Sequence, residues 1–232
     1  MVTVLSLGGS IVAPDKPDSA FLQEFSMMLR EWLKADAGRK VIMVVGGGAP
    51  ARYYQNAYRD LRSALALNID NTEADWIGIT ATYLNAQLVK ACFADLCPNS
   101  VVYNPTEPKV FAGQILVAAG WKPGFSTDND AVLLAEKFSA DCVINLSNIE
   151  KVYTDDPKKN PKAKAIDKIT WEKFIEMVGT EWVPGKNVPF DPIASAKARK
   201  IGLKVICAAG RNIENLKNIL DGKSFIGTTI QG

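Results

Sequence analysis

Apolar residues in this chain follow two rhythms that alternate from end to end. Short, nearly unbroken runs at Val4-Leu5-Ser6-Leu7, Val41 to Val45, Gln114 to Val117, Cys142 to Leu146 and Lys204 to Cys207 read as strands buried on both faces. Between them helical spacing takes over, as in Asp18 to Ala35, where Phe21, Leu22, Phe25, Met28, Leu29 and Trp32 share one face. The same reading predicts helices over Ala51 to Leu67, Thr72 to Ala94, Asp128 to Phe138, Thr170 to Val178, Pro192 to Lys200 and Ile213 to Leu220. Val101-Val102-Tyr103 is a further short strand candidate, and the chain closes on Gly227-Thr228-Thr229-Ile230. Strand and helix in alternation predict an α/β architecture with a mostly parallel central sheet. The polar segment Ser147 to Asp167, rich in lysine and proline, reads as a long loop, and loops of that length in compact domains are usually functional.

Two of the strands end in glycine clusters, Gly8-Gly9-Ser10 and Gly46-Gly47-Gly48. Glycines at such a point let backbone N–H groups face a ligand with no Cβ in the way, and a following helix adds its positive end. The pattern is that of a phosphate site, present twice. Neither cluster matches the P-loop or the dinucleotide fingerprint. A third loop of similar chemistry, Gly120-Trp121-Lys122-Pro123-Gly124-Phe125-Ser126-Thr127, leads directly into the Asp128 helix.

Composition narrows the chemistry. At 232 residues, 47% hydrophobic and 22% charged, the chain can bury a substantial core as one domain of two lobes, with a boundary near residue 140. A net charge of +2 leaves no extended basic face, which argues against nucleic acid and leaves anionic small molecules open. The four cysteines lie in strand or helix segments without metal spacing and read as reduced core thiols, as expected in the cytoplasm. No apolar stretch is long enough for a bilayer, and no signal-like segment opens the chain, so no membrane partner is expected. Histidine is absent, which removes histidine-dependent hydrolases and zinc enzymes and leaves carboxylates, cations and backbone dipoles. Phosphoryl transfer suits that set, because it needs positioning and charge neutralisation more than a proton shuttle.

Individual side chains carry two readings each. Arg52 lies one helical turn beyond the last glycine, within reach of a phosphate at the helix start, or is simply solvated. Asp75 is either a ligand contact or a partner of a helix dipole. Ser147-Asn148 and the Val152-Tyr153-Thr154-Asp155-Asp156-Pro157 run follow a strand C-terminus, the edge where ligands bind in open α/β sheets. They read as a nucleoside pocket or as a solvated loop. Asp191-Pro192 is a helix cap with proline at the first position, or a site residue.

Taken in order, these motifs resemble the amino acid kinase superfamily and, within it, the short archaeal-type uridylate kinases. The resemblance spans nearly the whole chain and rests on Gly46-Gly47-Gly48 with Ala51-Arg52, Asp75-Trp76-Ile77-Gly78 with Asn85-Ala86, Pro123 to Asp128, and Val152 to Pro157. It implies a three-layer αβα sandwich, a homohexamer, and Mg²⁺-dependent transfer of the ATP γ-phosphoryl group to UMP in pyrimidine biosynthesis. By the same resemblance Gly9, Ser10, Gly48 and Arg52 contact the ATP phosphates, and Ser147, Asn148, Tyr153 and Asp156 the ATP nucleoside. Gly47, Asp75 and Trp121, Lys122, Pro123, Gly124, Phe125, Ser126 and Thr127 fall on the UMP side. Asp191 matches an aspartate that orders phosphate-binding groups. Residues 1–140 would then form the acceptor lobe and 141–232 the ATP lobe.

The chain departs from the family pattern at Ser6, where many relatives carry lysine, so Lys186 or Lys122 is the expected source of the missing charge. It departs again at Glu150-Lys151, where Asp-Gly is usual, a change that would alter the turn if that position needs a positive φ. Other phosphotransferases of the superfamily with small acidic acceptors, and non-catalytic nucleotide or oxyanion binders such as the molybdenum storage proteins, are the rival readings.

Overall fold

The computed structural model describes residues 1–108, 110–157, 159–181 and 188–232. In chain order the elements are β1 (Val2–Leu7), α1 (Gly9–Val12), α2 (Ser19–Lys34), β2 (Lys40–Val45), α3 (Gly48–Ala64), α4 (Asn71–Ala91), β3 (Ile115–Ala118) and α5 (Thr127–Lys137). There follow β4 (Cys142–Ser147), β5 (Val152–Tyr153), β6 (Ala165–Ile166), β7 (Lys168–Ile169), α6 (Trp171–Val178), α7 (Pro192–Lys200), β8 (Val205–Ala209), α8 (Ile213–Leu220) and β9 (Thr228–Ile230).

Seven strands form one sheet in the order β3-β2-β1-β4-β8-β9-β7, parallel throughout except where β9 runs against β8. Alternation along each strand sends Leu5, Leu7, Met43, Val45 and Leu146 to one face, under α2, α4 and α8. It sends Val4, Ile42, Val44, Leu116 and Val143 to the other, under α5, α6 and α7. The result is three layers with an apolar core on each side of the sheet. From β1 the chain moves outward through β2 and β3, then returns on the other side of β1 as β4. The switch point therefore lies between β1 and β4, and in such sheets the ligand crevice opens beyond the strand C-termini there.

Helix starts divide into two kinds. Asp18, Asp70, Ser126, Thr170, Asp191 and Asn212 cap α2, α4, α5, α6, α7 and α8, each side chain accepting from a backbone N–H in the first turn. α1 and α3 open at Gly8 and Gly47 and have no side-chain cap.

The elements differ from the sequence expectation in three places. Val101 to Tyr103 forms only an isolated bridge, Val102 to Ala118, and the chain bends away from Tyr103 onward. The Ser147 to Asp167 segment holds the small antiparallel pair β5–β6, pinned to the main sheet where the Val152 N–H donates to Thr228 Oγ1 at 2.8 Å. The Gly8 cluster opens α1, a single turn too short for periodicity to reveal.

Candidate active site

The glycine clusters meet. β1, β2 and β4 end in register, with Leu7 beside Val45 and Leu146. The Gly8 N–H then donates to Leu146 O and the Gly46 N–H to Leu7 O, both at 2.9 Å, which carries the ladders just past the strand ends. A Cβ on Gly9 would stand 1.9 Å from the Gly48 nitrogen, and one on Gly46 would stand 2.5 Å from the Gly9 nitrogen. Only glycine permits this approach of backbone to backbone. Gly48 also has φ +67°, in the left-handed region that favours glycine. The two expected phosphate sites are thus one continuous backbone surface at the switch point, and both uncapped helices start from it. The N–H groups of Gly9 and Ser10 in α1 and of Gly48 in α3 have no intrahelical acceptor, whereas Ala49 donates to Ala13 O at 2.9 Å and Pro50 has no N–H, so the open donors that the surface presents to an anion are those of the glycine clusters themselves.

Asn85 of α4 fixes this surface from behind. It is buried, and its Nδ2 donates to Gly46 O at 2.8 Å and to Gly47 O at 3.0 Å. With both carbonyls turned to Asn85, the glycine peptide planes are held in place. The sequence marked Asn85 as part of a motif, but its task is visible only in three dimensions. Arg52, one turn into α3, is exposed and makes no ion pair or hydrogen bond among the described residues, leaving its guanidinium available to an anion.

Below the clusters lies a carboxyl pair. Ser6, at the position where lysine was expected, turns to the α5 side, and its Oγ donates to Asp128 Oδ1 at 3.0 Å. The other Asp128 oxygen accepts from the Asp191 N–H at 3.3 Å, while Asp191 itself caps α7 by accepting from the Ala194 N–H at 2.8 Å. The helix-cap reading of Asp191 is realised, and the cap is joined to Ser6 through Asp128. Burial, opposed by the bond from Ser6 and reinforced by the nearby Asp191, pushes the Asp128 carboxyl up to about 6. Two residues on, burial pushes Asp130 up to about 7. Lys186 lies outside the described residues.

On the other side of the Gly47 turn, α4 and the loop before α5 enclose a cavity of about 160 Å³, lined by Gln55, Asp75, Gly78, Thr82, Gly124, Phe125 and Thr127 among others. Asp75 Oδ2 accepts from the Gly124 N–H at 3.1 Å, and the Thr82 hydroxyl accepts from the Gly120 N–H at 2.8 Å. Gly124 has φ +78°, which only glycine adopts readily. Trp121 packs edge-on against Phe125 at 4.9 Å between centroids, and Lys122 Nζ stands 4.0 Å from the Trp121 centroid and 4.7 Å from that of Phe125. The Ser126 hydroxyl is engaged as the cap of α5. The structure thus joins Asp75 to the Trp121–Thr127 loop, a link the sequence did not disclose. A larger hollow beside α8, about 340 Å³, is lined by Asn212, Asn215 and Phe225 rather than by the glycine clusters.

Of the expected nucleoside pocket, Ser147 closes β4 beside Gly8, with its Cα 3.7 Å from where a Gly8 Cβ would be. Asn148 follows and is exposed, and Tyr153 is half-buried on β5. Asp156 starts the turn in which its carbonyl accepts from the Asn160 N–H at 2.8 Å. Lys151, where the family pattern has glycine, turns with ordinary backbone angles, since Ala66 and Ser139 alone among the described non-glycine residues have positive φ. Its ammonium instead bonds Asp167.

The family model for the amino acid kinase family matches residues 1–209. A uridylate kinase from Pyrococcus abyssi is 32% identical over 234 residues, covering 100% of both chains. One from Methanospirillum hungatei is 33% identical, covering 98% of this chain and 93% of its own. The crystal structure of uridylate kinase from Archaeoglobus fulgidus superposes with a TM-score of 0.83 at 31% identity, over 99% of this chain and 100% of that one. UMP kinase from Bacillus anthracis, at 21% identity and a TM-score of 0.77, shares the fold. A family match over nine-tenths of its length, full-length relatives, and a glycine-built anion surface at the switch point of the sheet together establish that the chain belongs to the amino acid kinase family.

Proposed function

We infer that this chain is a uridylate kinase, which transfers the γ-phosphoryl group of ATP to UMP and releases UDP and ADP. The observation that carries the reading is the junction of the two glycine clusters, where the uncapped starts of α1 and α3 meet in backbone contact beside a cavity tied together by Asp75. A donor phosphate chain over Gly9, Ser10 and Gly48 and an acceptor phosphate near Gly47 would meet at one surface, as in-line transfer requires. The uridylate kinases from Pyrococcus abyssi and Methanospirillum hungatei support the same assignment.

The acceptor oxygen is already anionic, so no strong general base is needed, in keeping with a chain that has no histidine. Backbone N–H groups of Gly9, Ser10, Gly47 and Gly48 are donors for the charge spread over the transferring group, and Arg52 adds a movable cation. Asp75 keeps one oxygen on Gly124 and has the other for a ribose hydroxyl, while the Trp121–Thr127 loop faces the acceptor base and phosphate. Ser147, Asn148, Tyr153 and Asp156 take the ATP nucleoside at the β4 end. Residues 1–140 then hold the acceptor and the donor phosphates, and residues 141–232 the donor nucleoside. Among the described residues no three His, Cys, Asp or Glu groups form a metal cage. A Mg²⁺ ion held by the triphosphate oxygens would neutralise phosphate charge there.

Ser6 brings no charge to the transferring group, so Lys122 or Lys186 supplies it. If Lys122→Ala and Lys186→Ala each leave turnover within about twofold, a barrier change of ~0.4 kcal/mol, that assignment is wrong. The exposed apolar side chains of α3 and α4, including Tyr54, Leu61, Trp76 and Leu84, support a homo-oligomer, with the hexamer of the family resemblance as the expected form. Light scattering on the eluting peak measures it. The enzyme would work in the cytoplasm in pyrimidine nucleotide synthesis. A coupled ADP-release assay with ATP, Mg²⁺ and a panel of UMP, CMP, dTMP and small carboxylates tests the function. UMP should give the highest kcat/KM. Nucleotide binding with no acceptor-dependent turnover would overturn it.

A further inference from the structure

We propose that Asp130 is a positioning residue for the acceptor loop: from inside the core it holds the Trp121 amide and so sets where residues 120–127 stand over the cavity. The proposal rests on the acceptor reading given above. Asp130 has no exposed surface, and the other buried residues of α5 are Asn129 and the apolar Ala131, Val132, Leu134 and Ala135. Its Oδ2 accepts from the Trp121 N–H at 3.1 Å, whereas its Oδ1 is buried with no partner among the described residues.

A sealed carboxyl with one oxygen unsatisfied is costly, and an apolar side chain of similar size would suit this face of α5 better. The bond from Asp130 to the loop is the contact that the cost sustains. The loop has two other anchors, Thr82 at Gly120 and Asp75 at Gly124. Asp130 holds the residue between them, the one whose ring packs edge-on against Phe125 and carries Lys122. Without that bond the aromatic pair loses its fixed height over the cavity.

The surroundings of Asp130 make the anchor sensitive to protons. Asp128 lies on the same helix and repels its charge, Asp191 lies against Asp128, and Tyr83 of α4 feels the Asp130 charge. Cys207 of β8 is a buried thiol raised far above its ordinary range and remains neutral. Of the lysines on the elements packed against α5 and on the anchored loop, Lys197 of α7 pairs with Glu136 toward the other end of the helix, Lys40 of β2 donates to Phe111 O, and Lys122 lies over the Trp121 and Phe125 rings. No cation among the described residues pairs with Asp130, and burial together with Asp128 brings its titration to about 7. A carboxylate accepts from an amide about twice as strongly as a neutral oxygen does, so protonation slackens the hold on Trp121.

The test is the KM for UMP at saturating ATP and Mg²⁺ between pH 6 and 8.5, in wild type, Asp130→Asn and Asp130→Val, with amide exchange at Trp121 measured alongside. In wild type KM should fall about fivefold as pH rises, the worth of strengthening one hydrogen bond. Asp130→Asn, with an oxygen that does not titrate, should show a KM flat with pH and close to the wild-type value at pH 6. Asp130→Val should raise KM further at every pH, move kcat less than KM, and speed exchange at Trp121. An unchanged pH profile in Asp130→Asn, or unchanged exchange at Trp121 in Asp130→Val, would overturn the proposal. Exchange is read without substrate, so its loss of protection in a protein that fails to phosphorylate UMP would refute the acceptor reading and leave the anchor standing.

Discussion

Asn85 offers the sharpest test of how the anion surface is built. Its amide gives one hydrogen to Gly46 O and one to Gly47 O, at 2.8 and 3.0 Å, and the side chain is buried at 4% exposure. Asn85→Ala removes both bonds and leaves two carbonyls without a donor in a place water reaches poorly. Each neutral bond is worth about 1 kcal/mol, and the stranded carbonyls bring the total to about 2–4 kcal/mol. The same change frees the Gly46-Gly47 peptide planes, so the N–H groups lose their fixed aim. Removal of one preorganised donor from a charge-stabilising site lowers turnover on the order of 10²-fold, and loosening should approach that figure. Asn85→Asp keeps the volume but sets carboxylate oxygen against two carbonyl oxygens, and should be worse than alanine in both respects. Urea unfolding at constant m-value gives the stability change, and steady-state kinetics at a temperature where the variant is fully folded gives the catalytic one. An Asn85→Ala protein within about 0.5 kcal/mol of wild type, with kcat/KM for ATP within twofold, would refute the idea that Asn85 holds the glycine junction.

Three further outcomes follow from the same geometry. Arg52→Ala should leave stability within about 0.5 kcal/mol, since the side chain is exposed and unpaired among the described residues, yet lower kcat/KM for ATP by about 10- to 100-fold; equal activity would remove Arg52 from the site. Gly9→Ala puts a Cβ 1.9 Å from the Gly48 nitrogen, so the clusters must part and ATP-dependent turnover should drop more than about tenfold; a variant with wild-type turnover would show that the junction need not be tight. Asp128 and Asp130 bind protons to higher pH when folded than when unfolded, about 6 and about 7 against 3.8, so their contribution to stability is full below pH 3.8 and is lost as pH rises through 6 to 7. The carboxyls lowered by their partners, Asp18, Asp95, Asp155, Glu172 and Asp221, change stability only in more acid solution. Urea midpoints of the wild type should therefore fall between pH 5 and 8, and fall less in Asp130→Asn; parallel curves would contradict the burial of this pair.

Much of the fold is legible because its strands are buried on both faces and its helices on one. Every long apolar run became a strand and every helical spacing a helix, with ends displaced by a few residues where capping geometry, rather than periodicity, sets the boundary. What escaped was small. A one-turn helix and two-residue strands carry too few residues for a period, and β5–β6 depends on Thr228, far away in sequence. In the site, the glycine clusters, Arg52 and Asp75 were readable as chemistry, but their joining was not. Asn85, Thr82, Asp128 and Asp130 act through bonds to segments that no local pattern connects to them. Two signals were nevertheless present in the chain: a polar Ser6 between Leu5 and Leu7 in a buried strand, and Asp130 four residues before Leu134 on the buried face of a helix. Each breaks its local pattern where a long-range bond compensates.

Capping shows why the site sits where it does. A helix start leaves N–H groups that something must satisfy, and six helices of the described chain satisfy them with their own Asp, Ser, Thr or Asn. At α1 and α3 the chain spends glycines instead, which offer no cap and pack so closely that the two open ends share one surface. A structural turn would gain nothing from this arrangement, since it forgoes the cap and the backbone rigidity that other residues supply. A bound polyanion supplies the missing acceptors at both ends together, so the cost in the free protein becomes affinity for a ligand that spans them. Two phosphorylated molecules brought end to end span them with the reacting atoms in the middle. A capping side chain has no room at either start, since a Cβ on Gly8 would stand 2.9 Å from Leu146 O and one on Gly47 2.7 Å from the Ala51 Cβ. Gly8→Ser and Gly47→Ser should therefore lower the urea midpoint of the free protein and raise the KM for ATP together, and a variant that is more stable than wild type would refute the steric argument.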